Sequence, residues 1–183
     1  MNQVREPLGT PDDIALKYQA VCQWADLPAL QVNLWIVEAY RSLVAGLHRV
    51  LDSVEPGMSA PRFLALRDLY LTPGHRLTQG DIQRRGKTTS GSVTRLVDSL
   101  EQEGLIVRRP NLTDRRTNYV ELTPRGVELC HRLIPAVARY SVDVCTEMDE
   151  ADRQRFVNLL KALSSGAEQS AAQSAASQDY DWD

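Results

Sequence analysis

The sequence predicts a mainly α-helical fold with a small β component (class α+β), and two observations lead to this prediction. Apolar residues recur at intervals of three and four over most of residues 12–163, which is the spacing of one helix face. Within that range, residues 105–122 instead contain two short runs rich in β-branched and aromatic residues, which is the composition of paired strands.

The composition excludes several classes of protein. Of 183 residues, 43% are hydrophobic and 25% are charged, as in an ordinary globular domain. No apolar run approaches the roughly 20 residues that cross a bilayer, and the first residues lack the apolar core of a signal peptide. The three cysteines, Cys22, Cys130 and Cys145, are odd in number and far apart, which argues against a disulfide framework. We therefore expect a cytoplasmic protein with no membrane contact.

The N-terminal part predicts two helices. Residues 1–11 show no periodicity, and we expect them to be disordered. Residues 12–24 and about 30–54 have helical spacing, and Pro28 separates the two segments. Together these N-terminal and dimerisation helices form the region 12–57.

The central region, residues 58–123, predicts a helix-turn-helix. Ser59 starts one helix. The segment from Thr78 to Asp81 resembles a capping box that opens a short helix, and Thr89 can cap a second helix that runs to about Glu103. Two short helices joined by a tight turn are typical of a helix-turn-helix, whose second helix enters the major groove of DNA.

A hairpin follows the second helix. Gly104 supplies the left-handed residue expected after a helix, and residues 105–109 and 118–122 are the two predicted strands. Their connection is too long for a two-residue turn and carries Arg115 and Arg116. A helix-turn-helix with such a hairpin is a winged helix, so the arginine-bearing loop can reach a neighbouring minor groove.

Two further helices are predicted over residues 124–146 and 149–163, and Pro135 is expected to bend the first of them. Both belong to a C-terminal dimerisation region, 124–163. The tail, residues 164–183, is rich in Ser, Ala and Gln, and we expect it to be disordered.

Positive charge is concentrated in the centre of the chain. The net charge is −3, but residues 76–125 hold ten Lys and Arg against six Asp and Glu. The rest of the chain holds eleven basic and eighteen acidic residues. A polyanion is therefore expected to bind the central segment.

Five short motifs, in order and at matching intervals, resemble the MarR family of winged-helix regulators, named for multiple antibiotic resistance. The motifs are Leu77-Thr78-Gln79-Gly80-Asp81-Ile82, Gly91-Ser92-Val93-Thr94-Arg95-Leu96-Val97-Asp98, Glu103-Gly104-Leu105-Ile106, Asp114-Arg115-Arg116 and Leu122-Thr123-Pro124-Arg125-Gly126. The resemblance covers about residues 30–163. It implies a homodimer that binds one palindromic double-stranded DNA operator, and a transcriptional repressor that a small molecule or an oxidant releases. The broad apolar stripes of the flanking helices independently favour a dimer over a single larger helical core.

The recognition helix provides one set of candidate DNA-binding residues. Short hydroxyls on its early turns can bind phosphates or base edges, and Arg95 could bind either a phosphate or a ligand carboxylate. Other basic residues before it are expected to attract phosphates without sequence preference. The candidates in this set are Ser90, Gly91, Ser92, Thr94, Arg95, Arg84, Arg85 and Lys87.

The wing provides the second set. Arg116 is the candidate for minor-groove insertion, Asp114 orients it, and Arg115 contacts a phosphate; the alternative is a solvated charged loop. Two positions depart from the family pattern. Gly91 stands where many relatives have proline, and Gly86 stands where relatives usually have an aliphatic residue.

Two mechanisms of release remain open. The candidate ligand-binding residues are Trp24, Trp35, Arg95 and Arg108, because the N-terminal helix resembles that of a urate-responsive branch that holds an anionic aromatic compound. Leu64 replaces an aspartate of that branch, and Trp24 can equally be a packing residue. The alternative is cysteine oxidation, although buried and inert cysteines are the expectation.

No catalytic residue, cofactor or metal site is expected. The chain lacks a Gly-rich phosphate loop and a nucleophile elbow, and its histidines, His48, His75 and His131, are scattered. The remaining rival to DNA binding is a winged helix that serves as a protein-interaction module.

Overall fold

The computed structural model of the protein describes residues 9–110 and 118–176, with side chains as far as Gln173. In chain order the elements are α1 (Pro11–Val21), α2 (Leu27–Val54), α3 (Ala60–Leu71), β1 (Arg76–Thr78), α4 (Gln79–Gly86), α5 (Ser90–Gln102), β2 (Ile106–Pro110), β3 (Asn118–Leu122), α6 (Pro124–Asp143) and α7 (Glu150–Ala176). The chain divides into two compact units, Met1–Ala138 and Arg139–Asp183. The predicted class, mainly helical with a small antiparallel sheet, is confirmed.

The helix-turn-helix has the predicted capping residues. Thr78 and Asp81 form a capping box at α4, in which Asp81 N–H donates to the Thr78 hydroxyl at 3.1 Å and Thr78 N–H donates to the carboxylate at 3.0 Å. Thr89 caps α5, and Gly104 has a φ of +70° directly after that helix. The local signals of the sequence therefore fix both ends of α5.

The sheet has three strands where the sequence predicts two. β3 is the central strand, antiparallel to β2 on one side and to β1 on the other, with Leu77 opposite Val120. β1 is not predictable from the sequence, because three residues are too short to show alternation and their partner strand lies about 40 positions later in the chain.

The N-terminal boundaries also differ from expectation. Thr10 forms a capping box with Asp13, so the described residues before Asp12 are ordered into the start of α1 instead of being disordered. Pro28 lies in the first turn of α2, capped by Asp26, and not between two helices. Proline fits there because the first turn of a helix leaves its backbone N–H groups unbonded.

The C-terminal tail needs a correction as well. The expected end of the last helix at residue 163 is wrong, because α7 continues to Ala176. Residues 164–176 are mostly Ala, Gln, Ser and Glu, and the high helix propensity of Ala, Gln and Glu extends the helix without burial. The residues before Gly9 and after Ala176 lie outside the described part of the chain.

The core of the larger unit lies between α3, α5, α6 and the sheet. Its fully buried side chains lie on α2, α3, α5, β2, β3 and α6. They are Leu51, Leu66, Leu69, Val93, Val97, Leu100, Ile106, Val120, Cys130 and Leu133. The α5 residues among them lie on one helix face, at i, i+4 and i+7, so burial of that face leaves the opposite face of α5 exposed.

A close backbone approach joins the hairpin to α6. Thr123 N–H donates to the Leu105 carbonyl at 3.1 Å, and the Thr123 hydroxyl accepts Gly126 N–H at 3.1 Å, which caps α6. A Cβ atom at Gly126 would collide with the Leu105 carbonyl and would lie 3.0 Å from Leu122 Cδ2. Position 126 therefore requires glycine for steric reasons.

Gly126→Ala is expected to lower the free energy of unfolding by about 1–3 kcal/mol, because the backbone must move to accept the methyl group. Urea unfolding at a fixed protein concentration measures the loss. Gly91→Ala is the matched control, since its added Cβ meets no atom within 4 Å. Equal stability of the two variants would contradict the steric assignment.

Candidate nucleic-acid interface

The first two turns of α5 are exposed on the side away from the core. Ser90, Gly91, Ser92, Thr94 and Arg95 are all exposed, whereas the apolar residues of the same helix point inward. All five are residues that the sequence analysis selected. They lie at a helix N-terminus, where the helix dipole favours negative charge.

Local hydrogen bonds organise these polar groups. The Thr89 and Ser92 hydroxyl oxygens are 2.9 Å apart, the Thr94 hydroxyl donates to the Ser90 carbonyl at 3.0 Å, and Arg95 Nε donates to the Gly91 carbonyl at 3.4 Å. Each contact lies within α5 or its cap. The Thr94 hydroxyl oxygen keeps its capacity to accept a bond, so this surface both donates and accepts.

The turn between α4 and α5 adds positive charge. Lys87 is exposed and has a left-handed backbone with φ +45°, and Arg85 donates to the Thr72 hydroxyl at 3.2 Å. Arg84 pairs with Asp81 at 2.5 Å, so its charge is partly neutralised. Among these three candidates, Arg84 is the one held by a carboxylate.

The pKa of Asp81, at the start of α4, is shifted by its neighbours. The hydrogen bonds that Thr78 donates from its side chain and its backbone, and then the charge of Arg84, hold the pKa of Asp81 below its usual value of 3.8. The carboxylate form therefore stabilises the folded start of α4.

Arg108 lies in β2 and binds two carboxylates of α5. It pairs with Asp98 at 2.5 Å and with Glu101, and its backbone N–H donates to Glu101 at 3.1 Å. Burial disfavours the charge of Arg108, but the hydrogen bonds and charges of the two acids outweigh burial and raise its pKa. A ligand anion at this guanidinium would have to compete with both carboxylates.

A second arginine holds the end of α5. Arg62, on α3, pairs with Glu103 and donates to the Gly57 carbonyl at 3.3 Å. The sequence analysis missed this contact and the Arg108 contacts. Acidic residues at 98, 101 and 103 were visible, but nothing local shows which distant cations they meet.

The three wing candidates, Asp114, Arg115 and Arg116, lie outside the described residues. Arg109, on β2, is exposed, and the guanidinium of Arg76, on β1, lies 5.0 Å from the centre of the Tyr119 ring on β3. Two cations therefore lie on the sheet that carries the hairpin.

The four candidate ligand-binding residues lie in two regions of the chain, the N-terminal helices and the winged helix. Trp24 follows α1 and is 88% exposed, and Trp35 on α2 donates from Nε1 to Asp12 at 3.1 Å. Arg95 and Arg108 lie in the winged helix. The packing role considered for Trp24 has no support within one chain, because almost all of the side chain is exposed.

The cysteines differ from one another. Cys130 is buried, burial raises the pKa of its thiol to about 11, and it matches the inert cysteine that was expected. Cys22 and Cys145 are only half-buried, so the expectation of burial is wrong for these two. In the parts of the chain that the structure describes, no three His, Cys, Asp or Glu side chains are grouped to hold a metal ion.

None of the helices within residues 9–110 and 118–176 is both long enough and apolar enough to span a bilayer.

Comparison with known proteins gives consistent matches. A family model described as the MarR family matches residues 58–117. The uncharacterized HTH-type transcriptional regulator YkoM of Bacillus subtilis is 30% identical and aligns over 71% of this chain and 83% of its own length. The HTH-type transcriptional regulator MhqR of the same organism is 27% identical and aligns over 77% of this chain and 94% of its own length. The crystal structure of Sco3205 from Streptomyces coelicolor, a MarR family regulator in complex with DNA, superposes with a TM-score of 0.71 at 22% identity, over 78% of this chain and 89% of that one.

The lowered pKa of Asp81 predicts a specific pH dependence. A depressed pKa stabilises the folded state above the unfolded value of about 3.8, and that contribution is lost as the pH falls through the lower folded value. Asp81→Asn should therefore be less stable than the natural chain by about 1 kcal/mol at pH 7, and the difference should shrink at pH 3. Urea unfolding at both pH values measures it.

Arg84→Gln is the control for this prediction, because Thr78 supplies the larger causes of the shift. It should retain most of the pH dependence. A stability difference between Asp81→Asn and the natural chain that is equal at the two pH values would contradict the assignment.

Proposed function

The chain belongs to the MarR family, and from this membership we propose that it is a homodimeric transcriptional repressor that binds a palindromic DNA operator and is released by a small aromatic or anionic ligand. One observation supports DNA binding above all: the first turns of α5 present exposed hydroxyls and Arg95 at a helix N-terminus. The surrounding segment, 76–125, is the basic part of an otherwise acidic chain. Repression of transcription places the protein in the cytoplasm.

The proposed contacts divide into two kinds. Ser90, Ser92 and Thr94 meet phosphates and base edges in the major groove, and Arg116 enters a neighbouring minor groove. Exposed cations before α5, Arg85 and Lys87 in particular, supply phosphate attraction that weakens with salt. Binding through the first kind of contact depends on the DNA sequence, whereas the phosphate attraction does not.

Exposed apolar residues support a dimer. In the larger unit, helices α1 and α2 expose large apolar side chains, among them Leu16, Tyr18, Val21, Val32, Trp35 and Tyr40. In the smaller unit, α7 exposes Phe156, Val157, Leu159 and Leu160. Most helical stability in proteins comes from the packing of an apolar face, and the apolar face of α7 is exposed in one chain. A second copy of the chain would cover these surfaces symmetrically.

Release by a ligand follows if the ligand prefers a dimer whose two α5 helices have a different spacing. A coupling free energy of about 1–3 kcal/mol between ligand and DNA is enough for useful regulation. No catalytic role is proposed, since the relatives named above are transcriptional regulators.

Arg116→Ala is expected to weaken binding about 5- to 150-fold, which corresponds to the loss of one specific contact worth about 1–3 kcal/mol. The test uses a palindrome of about 16–20 base pairs, the span of two half-sites one turn apart, selected from a random duplex library. Fluorescence anisotropy measures the affinity at several salt concentrations. Arg49→Ala, an exposed arginine of α2, is the matched control and should bind normally. A protein that selects no duplex at low salt would be an interaction module instead.

Phe156→Glu is expected to shift the monomer–dimer equilibrium at least about 100-fold toward monomer, because a charge at a buried interface position loses its hydration. Sedimentation velocity at micromolar concentration measures the change. Gln154→Glu places the same charge at an exposed polar position of α7 and should remain dimeric. A natural chain that is monomeric at micromolar concentration would refute the proposed assembly.

A further inference from the structure

The outer face of the winged-helix sheet carries two arginines and a tyrosine. Tyr119 on the central strand, β3, is paired with Arg109 of β2, and Arg76 of β1 is paired with the residue two positions after Tyr119, so all three side chains lie on one face. Leu77 and Val120 lie on the opposite face and are buried. On the outer face, Arg76 and Arg109 are exposed and Tyr119 is half-buried.

Arg76 lies against an aromatic ring and not beside a carboxylate. Its guanidinium is 5.0 Å from the centre of the Tyr119 ring, within the distance of a cation–π contact. Glu121 is its partner on β3, but in the described part of the chain no carboxylate forms an ion pair with Arg76. Arg62 and Arg108, in contrast, are each paired with an acid. Because the tyrosine ring has no net charge, it holds Arg76 without neutralising its positive charge.

The stacked position suits the guanidinium for binding a phosphate. A ring holds a guanidinium through its flat face, whereas the N–H groups point outward from the edge in a planar fork that matches a phosphate. Tyr119 is the second residue of β3, two positions after the connection 111–117 that carries Arg116. A strand rises about 3.3 Å per residue, so the stack lies about 7 Å along the strand from the end of this connection. Arg116 in a minor groove would therefore bring Arg76 close to the phosphates that border the groove.

We propose that Arg76 binds a backbone phosphate of the operator and that Tyr119 is the positioning residue that holds it there. Arg109, on the same face, adds attraction that does not depend on sequence. The contact rests on the proposed function and deepens it, because β1 supplies none of the DNA-binding residues proposed above. Phosphate contacts fix the position of a protein on a duplex and carry no sequence information, so Arg76 strengthens binding to every duplex alike.

Arg76→Ala tests the phosphate contact through the salt dependence of binding. Each phosphate contact contributes about 0.9 to the slope of log K against log salt concentration, so a dimer that loses two contacts should lose about 1.8. The affinity should fall at least about fivefold, equally for the selected palindrome and for a duplex of unrelated sequence. Fluorescence anisotropy at several salt concentrations measures both quantities. Arg49→Ala removes the same charge from α2 and should keep the natural slope.

The positioning role of Tyr119 is tested by changing the surface on which the guanidinium lies. Tyr119→Phe keeps an aromatic face and should keep the natural slope, whereas Tyr119→Leu should lose most of the slope that Arg76→Ala loses. Adding Tyr119→Leu to Arg76→Ala should weaken binding no further, since the two residues act as one unit. Thermal unfolding verifies that each variant is folded. If Tyr119→Leu does not fold, Tyr119→Thr, whose β-branched side chain suits a strand, gives the same decision.

Three outcomes overturn the inference, and they are distinguishable. If the natural chain binds the palindrome and Arg76→Ala has the same slope, Arg76 contacts no phosphate and the proposed function stands. If the losses of Arg76→Ala and Tyr119→Leu add in the double variant, Tyr119 does not hold Arg76. If the natural chain binds no duplex at low salt, the proposed function fails and this contact fails with it.

Discussion

The burial of one face of α5 is the constraint on which the proposed interface depends. Val93, Val97 and Leu100 lie in the core, which fixes the rotation of the helix about its axis and leaves its first-turn polar groups exposed. Ion pairs connect the second half of the helix to its neighbours. Arg108 from β2 pairs with Asp98 and Glu101 of α5, and Arg62 from α3 pairs with Glu103, the residue directly after α5. The recognition helix and the wing are thereby joined by charged contacts as well as by the core.

These ion pairs also change the interpretation of the ligand residues. An arginine in a basic segment is easily taken for an anion-binding group, but Arg108 is already paired with two carboxylates. A cavity with mainly apolar walls lies elsewhere, between α3, α4 and α5, where Leu64, Ile82 and Leu96 line it. Leu64 is the position at which the chain departs from the urate-responsive pattern, so a leucine stands in that wall where the branch has an aspartate.

The parts of the fold that were predictable are those set by short-range chemistry. The caps Thr78 and Thr89 act over three residues, and Gly104 acts at one, so α4, α5 and the start of β2 follow from the sequence. β1 and the ion pair of Arg62 with Glu103 did not, because each depends on a partner about 40 positions away that no local pattern identifies. The tail differs from its prediction for another reason: its low complexity predicts disorder, whereas its Ala and Gln residues favour helix.

The chemistry of the α5 surface has a consequence for how an operator would be distinguished. Serine and threonine hydroxyls can either donate or accept a hydrogen bond, so Ser90, Ser92 and Thr94 can meet any of the four base pairs with little preference. Bidentate readers such as Asn or Gln are absent from the exposed first turns of α5. Direct readout of an operator by these turns would then rest mainly on Arg95, which can bind a guanine bidentately, and further selectivity would reside in the width of the minor groove and the ease with which its sequence bends.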